Sequence, residues 1–237
     1  MSERVAEGSL EKGLLVLGVD TCGPSGSVAL ARLVGSTVKI LGQTELAGRS
    51  YSATLVAAVG ELLVGHGVTL GEVGAIVVVN GPGSFTGVRV GLSAVKGLAE
   101  PGRTPVVAVS RLRVLAAKAG LGAAALDAHR HEVFLRLAVD GDARELLAGT
   151  DELTGLELPP AKIAVCDEAA GELVQSKWRK TEVVRSEAPT AADAIELCAP
   201  QILAREFADL ALLDGHYLRR SDAEIFGDPI AGKARQG

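Results

Sequence analysis

Residues 75–99 constrain the fold of this chain more than any other stretch. Ala75-Ile76-Val77-Val78-Val79 is an unbroken apolar run that reads as a buried strand. Asn80-Gly81-Pro82-Gly83-Ser84-Phe85-Thr86-Gly87-Val88-Arg89-Val90-Gly91-Leu92 follows, and helical spacing then continues to Leu98 and Ala99. A buried strand therefore feeds a glycine-rich turn and a helix N-terminus. Glycine allows positive φ and close backbone approach, and Ser84 or Thr86 can cap the helix. Such a turn can hold an anion, because free N–H groups and the helix dipole converge on it. It is not a Walker A loop: G-x-x-x-x-G-K-[ST] is missing, and Lys96 lies too far into the helix. The plain alternative is a tight strand-to-helix turn with no ligand.

Around this unit the pattern is that of a layered α/β protein. Leu14 to Val19 predicts a buried strand ending at Asp20, Ser27 to Leu33 returns, and Val38 to Leu46 forms a third strand. A helix from Tyr51 to Val64, the strand at 74–79 and the helix at 85–99 complete a first unit. Val106 to Val109 starts the next strand, and Ser110 caps a helix ending near Gly120. Ala123–Ala128 and Glu132–Val139 read as a hairpin, Ile163–Cys166 as a strand, and Thr190 opens a long helix toward Phe207. Three strands, helix, strand, helix recurs loosely in the second half. That is the pattern of an actin-like or sugar-kinase-like duplicated fold. The expected division is an N-terminal tail at 1–13, a first lobe at 14–105, a second lobe at 106–225 whose final helix can return to the first, and a tail at 226–237.

Composition narrows the function classes. Hydrophobic residues make up 48% of the 237 positions and aromatics only 3%, so the core must be built from Val, Leu, Ile and Ala. The net charge of -5 argues against a chain that grips RNA alone, since phosphate binding needs a basic surface. Cys22, Cys166 and Cys198 are far apart with no C-x-x-C spacing, which points away from disulfides and zinc and toward a reducing compartment. The polar stretch before Gly13 is no signal peptide, and no apolar run approaches the ~20 residues of a membrane span. The expected location is cytoplasmic, with no membrane partner.

Gly81-Pro82-Gly83-Ser84-Phe85-Thr86-Gly87-Val88-Arg89 with Gly91 resembles the signature of the bacterial TsaB (YeaZ) family. Val19-Asp20-Thr21 with Gly26-Ser27-Val28-Ala29-Leu30 is similar to that family's opening hairpin. Leu126-Asp127-Ala128 with Glu132-Val133-Phe134 is similar to its central motif, and Tyr217–Glu224 to its C-terminal close. His129 stands where the family usually has arginine, Tyr51 where many members have histidine, and Leu147 to Pro160 matches nothing. The resemblance implies an actin-like (ASKHA, ribonuclease H-like) duplicated fold of two lobes. It also implies a non-catalytic scaffold subunit in tRNA N6-threonylcarbamoyladenosine modification. The transfer would be made by a TsaD-type paralogue, with a TsaE-type ATPase joining and tRNA met only through the complex. An isolated member can pair with itself.

The residues themselves offer little catalysis. Asp20, Thr21 and Ser27 could supply one phosphate hairpin, read here as vestigial. Asp127-Ala128-His129-Arg130 lacks the glycine that a second hairpin needs. Asp127, His129 and His131 could hold a metal on a regular strand, but a turn there would scatter them. No nucleophile elbow is present, and no cysteine has a recognisable histidine partner. No tightly bound cofactor is expected, and ATP or ADP only at a complex interface. The rival readings are a metallopeptidase-like enzyme, which needs a metal or nucleophile pair, and an ATP-dependent small-molecule kinase, which needs the second hairpin.

The helices at 51–64 and 85–99 are short of charge: Glu61 in one, Arg89 and Lys96 in the other. Apolar residues cover more of each than one buried stripe requires, and Ala53, Ala57, Gly60, Gly87, Gly91 and Gly97 would let other helices come close. The expected partner contacts are Tyr51, Leu55, Val59, Leu62, Val88, Leu92 and Val95. Burial between the chain's own lobes is the alternative.

Overall fold

The computed structural model describes residues 13–47, 50–139, 142–156 and 158–219. Strands β1 (Leu14–Asp20), β2 (Ser25–Val34) and β3 (Thr37–Ala47) form an antiparallel meander in which Asp20 pairs with Ser27. Helix α1 (Tyr51–Gly65) leads to β4 (Val73–Val79), which lies parallel to β1. Helix α2 (Phe85–Ala99) then leads to β5 (Val106–Val109), parallel to β4, and α3 (Arg111–Lys118) leaves the sheet.

The second half repeats this plan with β6 (Ala124–Asp127), β7 (Val133–Val139), β8 (Asp142–Ala148), α4 (Thr150–Gly155), β9 (Lys162–Val165), α5 (Glu168–Lys177), β10 (Glu182–Arg185) and α6 (Ala191–Ala204). The strand orders, β3-β2-β1-β4-β5 and β10-β9-β6-β7-β8, are the same order written twice. The duplicated two-lobe α/β architecture is therefore present. Strands β8 and β10 and helices α4 and α5 escape the sequence pattern. Strand β10 is four residues with no fully buried position, and β8 carries Asp142, Arg144 and Glu145, so neither shows the apolar run that marks β4.

The third helix of each repeat crosses to the other lobe. Helix α3 packs on β6, β7 and β9, whereas α6 lies across β1, β2 and β4. Ala194, Ile195, Cys198 and Ile202 of α6 join the first-lobe core, and Leu112, Leu115 and Ala116 of α3 join Leu126 and Phe134 of the second. Neither sheet can then bury both faces without the other half.

Two expected boundaries move. Strand β5 completes the first sheet, so the first lobe runs to Val109 and not to 105; the proline at 105 precedes a strand of the same unit. The last helix stops at Ala204, not near Phe207, because Arg205 adopts a left-handed φ of 57° that closes the helix. Residues 205–219 then run back as a strap, with Ala208 bridging the free edge of β5 at Val106. Arg220 to Glu224 of the C-terminal motif and both expected tails, apart from Gly13, lie outside the described residues.

Candidate functional site

The glycine-rich turn is built by contact with the β1–β2 turn. Cys22 O accepts a hydrogen bond from Ser84 N at 2.8 Å, and Thr21 Oγ1 donates to Gly87 O at 2.7 Å. Ser84 caps α2 by accepting from Gly87 N at 3.2 Å. A Cβ at Gly83 would collide with Cys22 O, and one at Gly87 with Thr21 O. The spacing of these glycines is thus set by helix α2 seating its first turn directly on the backbone of residues 21–22.

Each residue of the expected phosphate hairpin already has an internal partner. Ser27 Oγ accepts from Ala191 N at 2.8 Å and so holds the start of α6. Thr21 is committed to Gly87, as above. Asp20 Oδ1 accepts from Cys22 N at 2.8 Å, and Oδ2 lies 3.6 Å from Arg111 Nε. The Arg111 side chain fills the space above Gly23, where a Cβ would strike its guanidinium. Burial pushes the Asp20 carboxyl above its ordinary value, and Arg111 pulls it back only in part. Cys22 is buried with its thiol donating to Val79 O at 3.2 Å, and burial pushes that thiol well up, which suits packing and not nucleophilic attack. All three cysteines are free thiols.

Between the lobes lies a cleft of about 1190 Å³, walled by the 82–88 turn and Arg111 on one side and by Leu126, Asp127 and Phe134 on the other. At the position of a second hairpin, His129, Arg130 and His131 all have φ near 60°. Such a run is costly for residues with a Cβ. It is supported by Asp127, which accepts from His129 N at 2.8 Å and holds His129 Nδ1 at 2.9 Å. This turn keeps Asp127 and His129 together but gathers no third ligand, for the described residues contain no cluster of three metal-ligating side chains.

The expected partner contacts face inward. Tyr51, Leu55, Val59, Leu62, Val88, Leu92 and Val95 are all 7% exposed or less and pack on the chain's own first sheet. The physical reason is helical phase: these positions form the stripe that β1, β2 and β4 need covered. Tyr51 also donates its hydroxyl to Gly23 O at 2.9 Å. The outward stripe consists of other residues. On α1 it is Ala53, Val56, Ala57, Gly60 and Val64, with Val56 60% and Val64 79% exposed. On α2 it includes Thr86, Ser93 and Gly97, flanked by half-buried Val90 and Ala94. The second lobe does not cover this face; α1 packs on α2, β2 and β3, and α2 on α1, β1 and β4. Open space lies outside Gly60 and Gly97. Residue type alone does not separate the two stripes, since both contain Val: Val56 and Val64 face outward, and Val59, Val88 and Val95 inward.

A family model described as "TsaD: tRNA N6-adenosine threonylcarbamoyltransferase" matches residues 41–195, well over half of the chain. The chain belongs to that family. It is 35% identical over 134 residues to the tRNA threonylcarbamoyladenosine biosynthesis protein TsaB of Haemophilus influenzae, covering 54% of this chain and 55% of the relative. It is likewise 35% identical over 125 residues to the Escherichia coli protein of that name, covering 50% and 52%. The chain thus spans about half the length of these curated relatives. A solved structure, YeaZ from Pseudomonas aeruginosa, superposes with a TM-score of 0.70 at 28% identity, covering 86% of this chain and all of that one. The likeness to TsaB (YeaZ) drawn from Gly81–Gly91 is therefore upheld in sequence and in fold. No described helix is long and apolar enough to cross a membrane.

Proposed function

We propose that this chain is a TsaB-type supporting subunit in tRNA N6-threonylcarbamoyladenosine formation. It pairs through the outward face of α1 and α2 with a TsaD-type paralogue that performs the transfer. The observation that carries this reading is the uncovered apolar stripe Ala53, Val56, Ala57, Gly60, Val64 beside Thr86, Val90, Ser93 and Gly97. Small residues in two adjacent helices let a second helix pair approach closely, completing a four-helix packing, and exposed apolar patches of this kind mark interfaces. The buried Asp20–Arg111 pair supports a non-catalytic role, because a fixed guanidinium stands where a phosphate hairpin would admit its ligand. Pairing would stabilise the paralogue's active conformation by population shift. A TsaE-type ATPase joins the pair, tRNA is met through the complex, ATP or ADP binds only at its interfaces, and the isolated chain self-pairs through the same face in the cytoplasm.

The test is Val56→Arg and Val64→Arg, made separately, with the paralogue from the same genome. Each is expected to abolish co-purification and to stop the complex from modifying tRNA, while circular dichroism of the variant stays unchanged. Retained pairing in both variants would overturn the assignment of the face.

A further inference from the structure

We infer that the edge of α2 beside the strap is a socket for an acidic side chain of the partner, a step that rests on the pairing proposed above. Arg89 is not a loose surface cation. Its guanidinium carbon sits 3.8 Å from the centroid of the Phe85 ring, and Phe85 is held in turn against Tyr217 of the strap, ring centroids 5.0 Å apart and tilted by 46°. Lys96 lies two turns further along the same flank. Between the two cations is a hollow of about 320 Å³ whose other walls are Leu92, Ser93, Leu213 and Asp214. Among the described residues neither cation has an ion-pair partner. Asp214 shares the hollow, but its Oδ1 accepts from Gly215 N at 2.7 Å.

A guanidinium lying on an aromatic ring keeps its N–H edge turned outward, and that planar fork matches a carboxylate with two parallel hydrogen bonds. The ring contact also restricts the side chain before binding, so less entropy is lost when the partner arrives. Arginine and aromatic residues are enriched in interfaces, and charges at the rim of an apolar patch act chiefly on association rate and salt dependence. The remainder of the outward face carries one charge, Glu61 on α1. The partner that fits is therefore an apolar, small-residue helix pair bordered by Asp or Glu on the edge that meets α2. A second copy of this chain presents its own Arg89 and Lys96 on that edge of α2, so the socket favours the paralogue over self-pairing.

The experiment measures binding of the purified full chain to the TsaD-type paralogue from the same genome at low and at high salt. Arg89→Glu/Lys96→Glu is expected to weaken binding about tenfold or more at low salt, chiefly by slowing association, and to flatten the salt dependence. Arg89→Lys keeps the charge but loses the fork and should fall between. Val64→Arg serves as the parallel control and should abolish binding at both salts. If the double variant binds like the parent at both salts while Val64→Arg does not bind, the socket is wrong and the face stands. If Val64→Arg also binds like the parent, the pairing itself fails, and the socket with it.

Discussion

Arg111 reaches from the first turn of α3 back into the first lobe and sets its Nε 3.6 Å from Asp20 Oδ2, with 6% and 1% of the two side chains exposed. Neither atom has a hydrogen-bond partner, so the pair is held by charge and burial and not by ideal geometry. Burial works most strongly against the arginine's charge, and Asp20 together with Cys22, Cys166 and Tyr51 more than offsets it, so the guanidinium is held above its ordinary value. Removing one partner strands the other charge in a dry site. Asp20→Asn or Arg111→Met alone should each cost about 3–5 kcal/mol, and the double variant much less than the sum. Urea denaturation of the four proteins measures this; additive losses would mean that the two side chains do not act as a pair.

Gly87 and Gly97 lie on the same helix with opposite surroundings. Gly87→Ala should destabilise by about 1–3 kcal/mol, because its Cβ meets the fixed Thr21 carbonyl. Gly97→Ala, with open space outside, should gain about 0.5–1 kcal/mol through helix propensity. Thermal melts of the monomer give both signs. The same Gly97→Ala change is expected to weaken paralogue binding by keeping the helices apart.

Leu92→Arg and Val56→Arg separate the inner stripe from the outer. Leu92 is 5% exposed in the first-lobe core, so burying an unpaired charge there should unfold the chain or cost at least about 4 kcal/mol. Val56 is 60% exposed, and its replacement should change monomer stability by no more than about 0.5 kcal/mol. Denaturation midpoints decide, and equal losses would refute the helical phase described above.

Glu145 joins three elements: it accepts from Ser110 at the start of α3 (2.6 Å) and from Arg136 on β7 (2.7 Å), and lies 2.8 Å from His216 Nε2 on the strap. Burial works against its charge, but these partners together hold the carboxyl below its ordinary value of 4.5. Because the folded value is the lower one, the stabilisation is full above about pH 4.5 and is lost as pH falls through the folded value. Glu145→Gln should therefore flatten the acid side of the stability curve while lowering stability at pH 7. Denaturant midpoints from pH 7 to 3 measure it, and an unchanged acid slope would count against this role.

Much of the first lobe was legible from residues alone, because its signals are local. Ala75–Val79 announces a buried strand, Gly81–Gly91 the turn and helix, and the apolar run Leu14–Val19 a second strand that is buried almost throughout. The repeat in the second half was harder to read: β8 begins with polar residues and β10 is only four residues long, and both are edge strands whose place is assigned by neighbours. Helix phase was the subtler loss. Val56 and Val59 are the same residue type three positions apart, and which of them faces the sheet depends on how α1 lies on β2 and β3.

Sequence by itself determined the family, the apolar α/β character and the charge-poor helices, since these follow from residue type and spacing. Only the tertiary structure decided that α3 and α6 exchange lobes, that Arg111 fills the space beside Asp20, and that Val56 and Val64 are left outside. Each of these joins groups far apart in the chain, and the burial and Coulomb energies that fix them exist only once the two sheets have come together.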